Sequence, residues 1–355
     1  MGLNVLIDAR LISNKPTGID RYIRHIISFL DTNNDNLNIF LLMNFSQQKI
    51  LKNSGLFNYH IIFTRFSPFN PLHVLFLSFK LYILKDKYNM FFWTIYSGVF
   101  FKTKNIKQLT MVHDLMYKIV PNFFNKNLIL NRIKQYFMDF IVKNTLIKSN
   151  LILTNSNTTK NDILRFFNLN SYVTPLGISL NYKTNIEKSK YVSILKEIQD
   201  KYFLYIGNNR QQKNLEFLIN TFLASKSNKK LVIVGCEITI PSSKIINFET
   251  VTDSELILLY NNSFCFVFPS LYEGYGFPII ESAKFGKRIL SSDRGSLIEF
   301  SNLRVNYFDP LDSSSLLKYF NNESLIKSID KRYLNNYTWE KHDLILNKKI
   351  TELLF

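Results

Sequence analysis

Short apolar runs with strand character alternate with helical stretches from one end of this chain to the other. That alternation is the pattern of α/β proteins, because neighbouring parallel strands need a crossover segment and a helix supplies it. Val5–Asp8 reads as a first buried strand, and Gly18 opens a helical stretch over Arg21–Leu30. Ile39–Met43, Tyr59–Phe63, Leu109–Val112 and Leu151–Thr154 read as further strands, and Asn155-Ser156-Asn157-Thr158 as the cap of a helix over Lys160–Phe167. The pattern then restarts. Tyr202–Gly207, Leu231–Gly235, Phe264–Phe268, Ile289–Ser291 and Val305–Phe308 read as strands. Between them lie predicted helices over Asn214–Ala224, Glu255–Asn261 and Pro278–Phe285, the last with proline in its first turn, and Trp339–Leu354 is a final amphipathic stretch.

Two rounds of the pattern imply two domains, and 355 residues suit that number. Leu180–Asp200, just after Pro175-Leu176-Gly177, is polar, Lys-rich and without strand pattern, so the boundary is predicted there. The predicted domains are residues 1–180 and 181–338. A C-terminal helix, 339–355, is placed to pack back on the first of them. A composition 46% hydrophobic and 20% charged supplies two cores and argues against global disorder.

The charge is uneven. Residues 1–180 hold 21 Lys and Arg against 8 Asp and no Glu, a net +13, which leaves +4 for the rest of the +17. A basic, aromatic-rich half suits an anionic membrane surface or a phosphorylated acceptor, and nucleic acid would also attract it. No nucleic-acid motif is present, however. Cys236 and Cys265 sit in or beside apolar runs and read as small buried apolar residues, in keeping with a reducing, cytoplasmic setting. The N-terminus lacks the basic region of a signal peptide. The longest apolar runs, such as Tyr88–Phe101, fall short of the roughly 20 residues of a membrane helix. The expectation is a soluble or peripheral protein.

In open parallel sheets, ligands bind beyond the carboxyl ends of strands, against helix N-termini. Four strand ends here carry suggestive segments. Pro269-Ser270-Leu271-Tyr272-Glu273-Gly274-Tyr275-Gly276-Phe277-Pro278-Ile279-Ile280-Glu281 has two glycines that let backbone approach a ligand, and two carboxylates able to accept vicinal hydroxyls of a sugar or ribose. A Gly-rich turn with a helix-start glutamate is the plainer reading of the same residues. Gly207-Asn208-Asn209-Arg210-Gln211-Gln212-Lys213-Asn214 leaves a strand and enters a helix with two cations, which could equally be surface charges. Pro16-Thr17-Gly18-Ile19-Asp20-Arg21-Tyr22 is either a plain turn capping a helix or a ligand loop. Met111-Val112-His113-Asp114 ends a strand on a histidine, a residue as often structural as functional.

Together these segments resemble the retaining glycosyltransferases of family 4, which have the GT-B fold: α/β, two Rossmann-like domains whose parallel sheets face each other across a cleft. Glu273 and Glu281, with Gly-x-Gly-Phe-Pro between them, match the family's Glu-x7-Glu signature in spacing and content. The resemblance implies that Glu273, with the backbone of Gly274, Tyr275, Gly276 and Phe277, contacts the donor sugar, and that Glu281 binds the nucleotide ribose. It implies that Lys213, with Arg210, neutralises the donor diphosphate in a loop that includes Gly207 and Asn208. Gln212 stands where relatives often carry a base. Gly18 falls in the family's N-terminal Gly-rich loop, where Asp20 replaces a second glycine. That departure argues against phosphate contact and leaves a contact to an acceptor hydroxyl open. His113 matches a histidine close to the reacting sugar. Thr154-Asn155-Ser156, Asp293–Glu299, Phe308-Asp309-Pro310 and Tyr337–Glu340 extend the likeness, whereas Asn53–Phe101 carries no family motif.

The resemblance implies transfer of a hexose from a nucleotide-diphosphate sugar, with GDP-mannose expected first and UDP-sugars next. The implied acceptor is a saccharide, lipid-linked, in bacterial surface-polysaccharide (O-antigen or capsule) synthesis. The first domain would bind the acceptor and the second the donor. The donor is a substrate, so no cofactor is expected. The lack of an Asp-x-Asp motif argues against a metal. A nucleotide-sugar epimerase of the same architecture and a non-catalytic basic binding protein are the competing readings.

Overall fold

A computed structural model describes residues 2–13, 17–33, 36–51, 55–65, 67–68, 71–99, 101–102, 105–178, 198, 201–238 and 242–354. It divides into two compact units, Met1–Leu176 with Trp339–Phe355, and Gly177–Thr338. Apart from Ile198, the Leu180–Asp200 stretch lies outside the described residues, as does Pro16 of the first Gly-rich segment.

In the first unit, β1 (Leu3–Asp8), β2 (Leu37–Asn44), β3 (His60–Thr64), β4 (Met90–Trp93), β5 (Lys107–Val112), β6 (Leu151–Thr154) and β7 (Tyr172–Val173) form one sheet. Its order is β3-β2-β1-β4-β5-β6-β7, and every pairing is parallel. The strands are apolar along their length because helices cover the sheet: Val5, Ile7, Phe91, Phe92, Leu109 and Met111 are all fully buried. The helix Gly18–Asn33 buries Tyr22, Ile23, Ile26, Ile27 and Leu30, one face at a three-to-four spacing.

The second unit repeats the plan. β8 (Tyr202–Ile206), β9 (Lys230–Val234), β10 (Ile245–Phe248), β11 (Cys265–Phe268), β12 (Arg288–Ser292) and β13 (Asn306–Phe308) are parallel, in the order β10-β9-β8-β11-β12-β13. Phe203 packs edge-on to Phe320 at 4.8 Å in a core shared with Phe222, Ile233, Val267 and Leu290. Both cysteines are buried free thiols. In each sheet the chain winds outward in one direction over three strands and then returns to wind in the other. The reversal falls between β1 and β4 in the first sheet and between β8 and β11 in the second.

The predicted strands and helices are present with ends shifted by a few residues, and Ser156 caps the helix Asn157–Phe167 by accepting from Thr159 N. Several elements escaped the sequence pattern. β4 lies inside the apolar run Tyr88–Phe101. β7 and β10 are short. The helices Pro71–Ile83, Leu128–Lys148 and Ser313–Asn321 were not foreseen. Among the described residues no helix is long and apolar enough to cross a membrane.

Candidate functional site

Where winding reverses, neighbouring strands send their connections to opposite faces of the sheet, and a crevice opens at their carboxyl ends. In the second unit those strands are β8 and β11, and their connections are the two loops singled out above: Gly207–Asn214 and Pro269–Gly276. Leu271 N donates to Gln212 O at 2.7 Å, which ties the loops together. Beside that tie, Lys213 Nζ donates to Glu273 Oε1 at 2.7 Å and sits 5.0 Å from the Phe268 ring centroid. The side chains are only 17% and 12% exposed, so the pair is largely desolvated without being sealed. An ammonium has three protons to donate, and this contact uses one.

Local sequence explains why the loops hold these shapes. Gly207 ends β8, and a Cβ there would stand 2.8 Å from the Tyr205 hydroxyl. Gly235, at φ 99°, would bring a Cβ to 2.9 Å of Gly207 O, so the two strand ends touch only as glycines. The exposed Asn208 accepts from Arg210 N, and Arg210 opens the turn Gln211–Lys213 with its side chain exposed. Gln212 is buried. Asn214 takes the left-handed conformation that asparagine tolerates, and its amide donates to Pro310 O. In the other loop, Ser296 Oγ lies 2.9 Å from Glu273 O and 2.6 Å from Tyr275 O. Tyr275 packs on Phe277 and Phe300, and Gly276, at φ 121°, precedes the helix Phe277–Lys284. Gly274 is buried. Glu281, on that helix and 4% exposed, accepts from the Tyr260 hydroxyl at 2.9 Å.

The family described as glycosyl transferases group 1 matches residues 188–341, which contain both loops. Residues 188–341 are thus similar to that family. O-antigen chain mannosyltransferase RfbU of Salmonella typhimurium is 26% identical over 242 residues, covering 65% of this chain and 64% of that protein. O-antigen chain mannosyltransferase B of Escherichia coli is 25% identical over 263 residues, 66% of this chain and 67% of that one. The chain thus matches about two thirds of the length of these curated relatives. The structure of Anabaena Alr3699/HepE in complex with UDP and glucose superposes with a TM-score of 0.72 at 14% identity, covering 99% of this chain and 100% of that one. The fold is α/β and two-domain, of the GT-B type, and the chain resembles bacterial O-antigen mannosyltransferases.

Within residues 188–341 the structure brings together Lys213 and Glu273, with Gly207, Asn208, Arg210, Gly274, Tyr275, Gly276 and Phe277 on the same two loops. Glu281 follows on the helix that the second loop feeds. Gly18 and His113 belong to the other unit. There, Gly18 starts its helix, and Asp20 is 1% exposed, with its carboxylate accepting from Ser13 N and Arg24 Nε. Asp20 therefore ties Ser13 to the start of the helix, which gives a structural role to the residue that departs from Gly-x-Gly.

Sequence reasoning passed over Asp8 and Arg10. Asp8 ends β1 at the reversal point of the first sheet and Arg10 follows two residues on; their side chains form a fork-to-fork pair of 2.6 and 2.7 Å, 0–1% exposed, with Arg10 also reaching Ser97 O. The available signal was an aspartate closing an apolar run with an arginine two residues on. His25 Nε2 and His342 Nδ1 both meet Asp343 Oδ1, at 2.8 and 3.0 Å, while His25 stacks on Trp339 at 3.8 Å. These three side chains are the one potential metal-ligand group among the described residues; Asp343 bridges the two imidazoles, while His342 Nε2 is buried without a hydrogen-bond partner.

His113 Nε2–H donates to Thr94 O at 3.1 Å, and its ring meets Tyr22 edge-on at 4.9 Å. Burial pulls its pKa down to about 4, against the opposing pull of the Thr94 carbonyl, so it is neutral at pH 7. A depressed histidine contributes stability that is complete above its unfolded pKa, near 6.5, and is lost as pH falls toward the folded value. The loss approaches about 1.4 kcal/mol per pH unit for one group. His113→Gln is expected to flatten the fall in Tm between pH 6.5 and 4, measured by thermal unfolding against pH. An unchanged slope would show that His113 does not titrate in that window.

Proposed function

We propose that the chain is a retaining glycosyltransferase of family 4. It moves a hexose from a nucleotide-diphosphate sugar, GDP-mannose first and a UDP-sugar next, to a lipid-linked saccharide in bacterial surface-polysaccharide synthesis. The observation that carries this is the Lys213–Glu273 pair at the reversal point of the second sheet, where cation and carboxylate stand on touching loops. Lys213, with Arg210, stabilises the charge that develops on the leaving diphosphate. Glu273 and the backbone of Gly274–Phe277 hold the sugar hydroxyls, and Glu281 holds the ribose. The relatives' names support mannose as the sugar, and the UDP and glucose in the HepE complex support a nucleotide and a hexose as the ligands. The first unit takes the acceptor. The reading needs no cofactor or metal beyond the donor, and it sets the protein at the cytoplasmic face of the plasma membrane.

A thermal-shift series with GDP, UDP, ADP and dTDP tests it. One nucleoside diphosphate is expected to raise Tm in a concentration-dependent way, by about 2.7 kcal/mol of linkage at a hundredfold excess over Kd. Binding to none of the four overturns the reading. Nucleotide release from the matching sugar donor should depend on added acceptor, which separates transfer from epimerisation.

A further inference from the structure

A glutamate side chain has several rotatable bonds and loses much rotamer freedom when it is held in one direction. Glu281, on the helix Phe277–Lys284, therefore needs another group to fix its head before a ligand arrives. The Tyr260 hydroxyl is placed to do so. It donates to Glu281 Oε2 at 2.9 Å from a side chain with no exposed surface.

Tyr260 is itself fixed by its neighbours. It lies near the end of the helix Asp253–Asn262, whose start is closed by a reciprocal cap: Thr252 Oγ1 accepts from Glu255 N, and Glu255 Oε2 accepts from Thr252 N. The far end of that helix is pinned to the crevice strand β8. The Tyr202 hydroxyl donates to Leu259 O at 2.6 Å, and Phe264 N donates to Tyr202 O at 2.9 Å. Ser263 N and Ser263 Oγ both donate to Tyr260 O. The Tyr260 ring stacks on Phe285 at 5.3 Å and 12°, and tilts against Phe266 of β11 at 5.9 Å. Its hydroxyl thus stands at a point set by β8, by β11 and by the end of the helix that carries Glu281.

An ionised carboxylate has about four acceptor positions on its two oxygens. The bond from Tyr260 takes one of them on Oε2 and restrains the group, so the positions that remain face in set directions. A sugar diol gains most from acceptors already in place, because nothing more has to be ordered when it binds. We propose that Tyr260 is a positioning residue: by fixing the Glu281 carboxylate, it sets a preference for a nucleotide with a ribose 2′-hydroxyl over its 2′-deoxy form. The inference rests on the reading of Glu281 as the ribose carboxylate. A tyrosine that only satisfied a buried carboxylate would change stability and leave that preference alone.

Calorimetric titration of the full chain with the ribo and 2′-deoxy forms of GDP, UDP and ADP tests it. The parent is expected to bind one ribonucleotide roughly tenfold or more tightly than its deoxy form, the range for a hydrogen bond to a charged group. Tyr260→Phe keeps the stacked ring and is expected to bring that ratio below about threefold. In a Glu281→Gln background, where the carboxylate is already gone, Tyr260→Phe should change the ratio by less than about twofold. Should Tyr260→Phe not fold, Phe285→Leu, which removes the ring that holds the tyrosine, is expected to lower the ratio by about threefold or more. A parent that binds a nucleoside diphosphate without preferring ribose, or that binds none of these nucleotides, overturns the role of Glu281 and this inference together. A parent preference that the variant keeps in full, or an affinity that falls equally for both forms, overturns the inference alone. So does an undiminished effect of Tyr260→Phe in the Glu281→Gln background.

Discussion

Lys213→Ala is expected to slow sugar transfer by roughly 10²–10³. The reason is that the developing charge on the diphosphate loses a cation already fixed in place by Phe268 and Glu273. The same substitution strands Glu273, whose side chain is only 12% exposed, and should cost about 1–3 kcal/mol of stability, between the values for surface and fully buried pairs. A single variant therefore mixes two effects. The double variant Lys213→Ala with Glu273→Gln separates them, since it removes the stranded charge along with the cation. Stability should return toward that of the parent while turnover stays low. Tm and acceptor-dependent nucleotide release, measured on the same three proteins, give the answer. Near-normal release from Lys213→Ala would remove the lysine from the chemistry. Recovery of release in the double variant would make the pair a structural clip only.

How much of this site could be read beforehand follows from the range of the interactions. The Gly-rich loop, the two glutamates and the strand-to-helix turns are written within about a dozen residues each, so composition and spacing expose them. That Leu271 N meets Gln212 O and that Lys213 meets Glu273, 60 positions apart, are contacts of the sheet order and not of any local pattern. The parallel α/β architecture follows from the alternation of runs, but β4 hid because Met90–Trp93 is apolar at every position within an uncharged, largely apolar stretch, and an all-apolar run has no period of two. The helix Leu128–Lys148 hid for a related reason: apolar residues on both faces cancel the 3.6-residue signal. Asp20 shows a third limit. The sequence marked it as a departure from a glycine pattern, yet its partners, Ser13 N and Arg24, became visible only in the folded structure. Asp8 was read only as the end of a strand and Arg10 was passed over, because a linear pattern does not distinguish a polar strand end that faces water from one that is sealed.

That sealed pair carries the largest expected effect on stability. Asp8 and Arg10 meet through two short bonds at 0–1% exposure, and Arg10 is held further by Ser97 O. The Asp8 carbonyl in turn accepts from Thr94 Oγ1 at 2.6 Å, so the pair joins the ends of β1 and β4 where the first sheet reverses. Asp8→Ala leaves a guanidinium that cannot shed its charge in a site where its side chain has no exposed surface. A loss of about 3–5 kcal/mol follows from breaking a buried pair at one end. For a unit of this size that is a fall in Tm of roughly 10 °C. Replacing both residues, Asp8→Leu with Arg10→Met, should recover most of the loss, because similar volume is kept and no charge is left buried. If the single variant melts within a degree or two of the parent, water reaches Arg10 and the site is not sealed. If the double variant is as unstable as the single, the contribution lies in the bonds to Ser97 and the strand ends rather than in charge neutralisation.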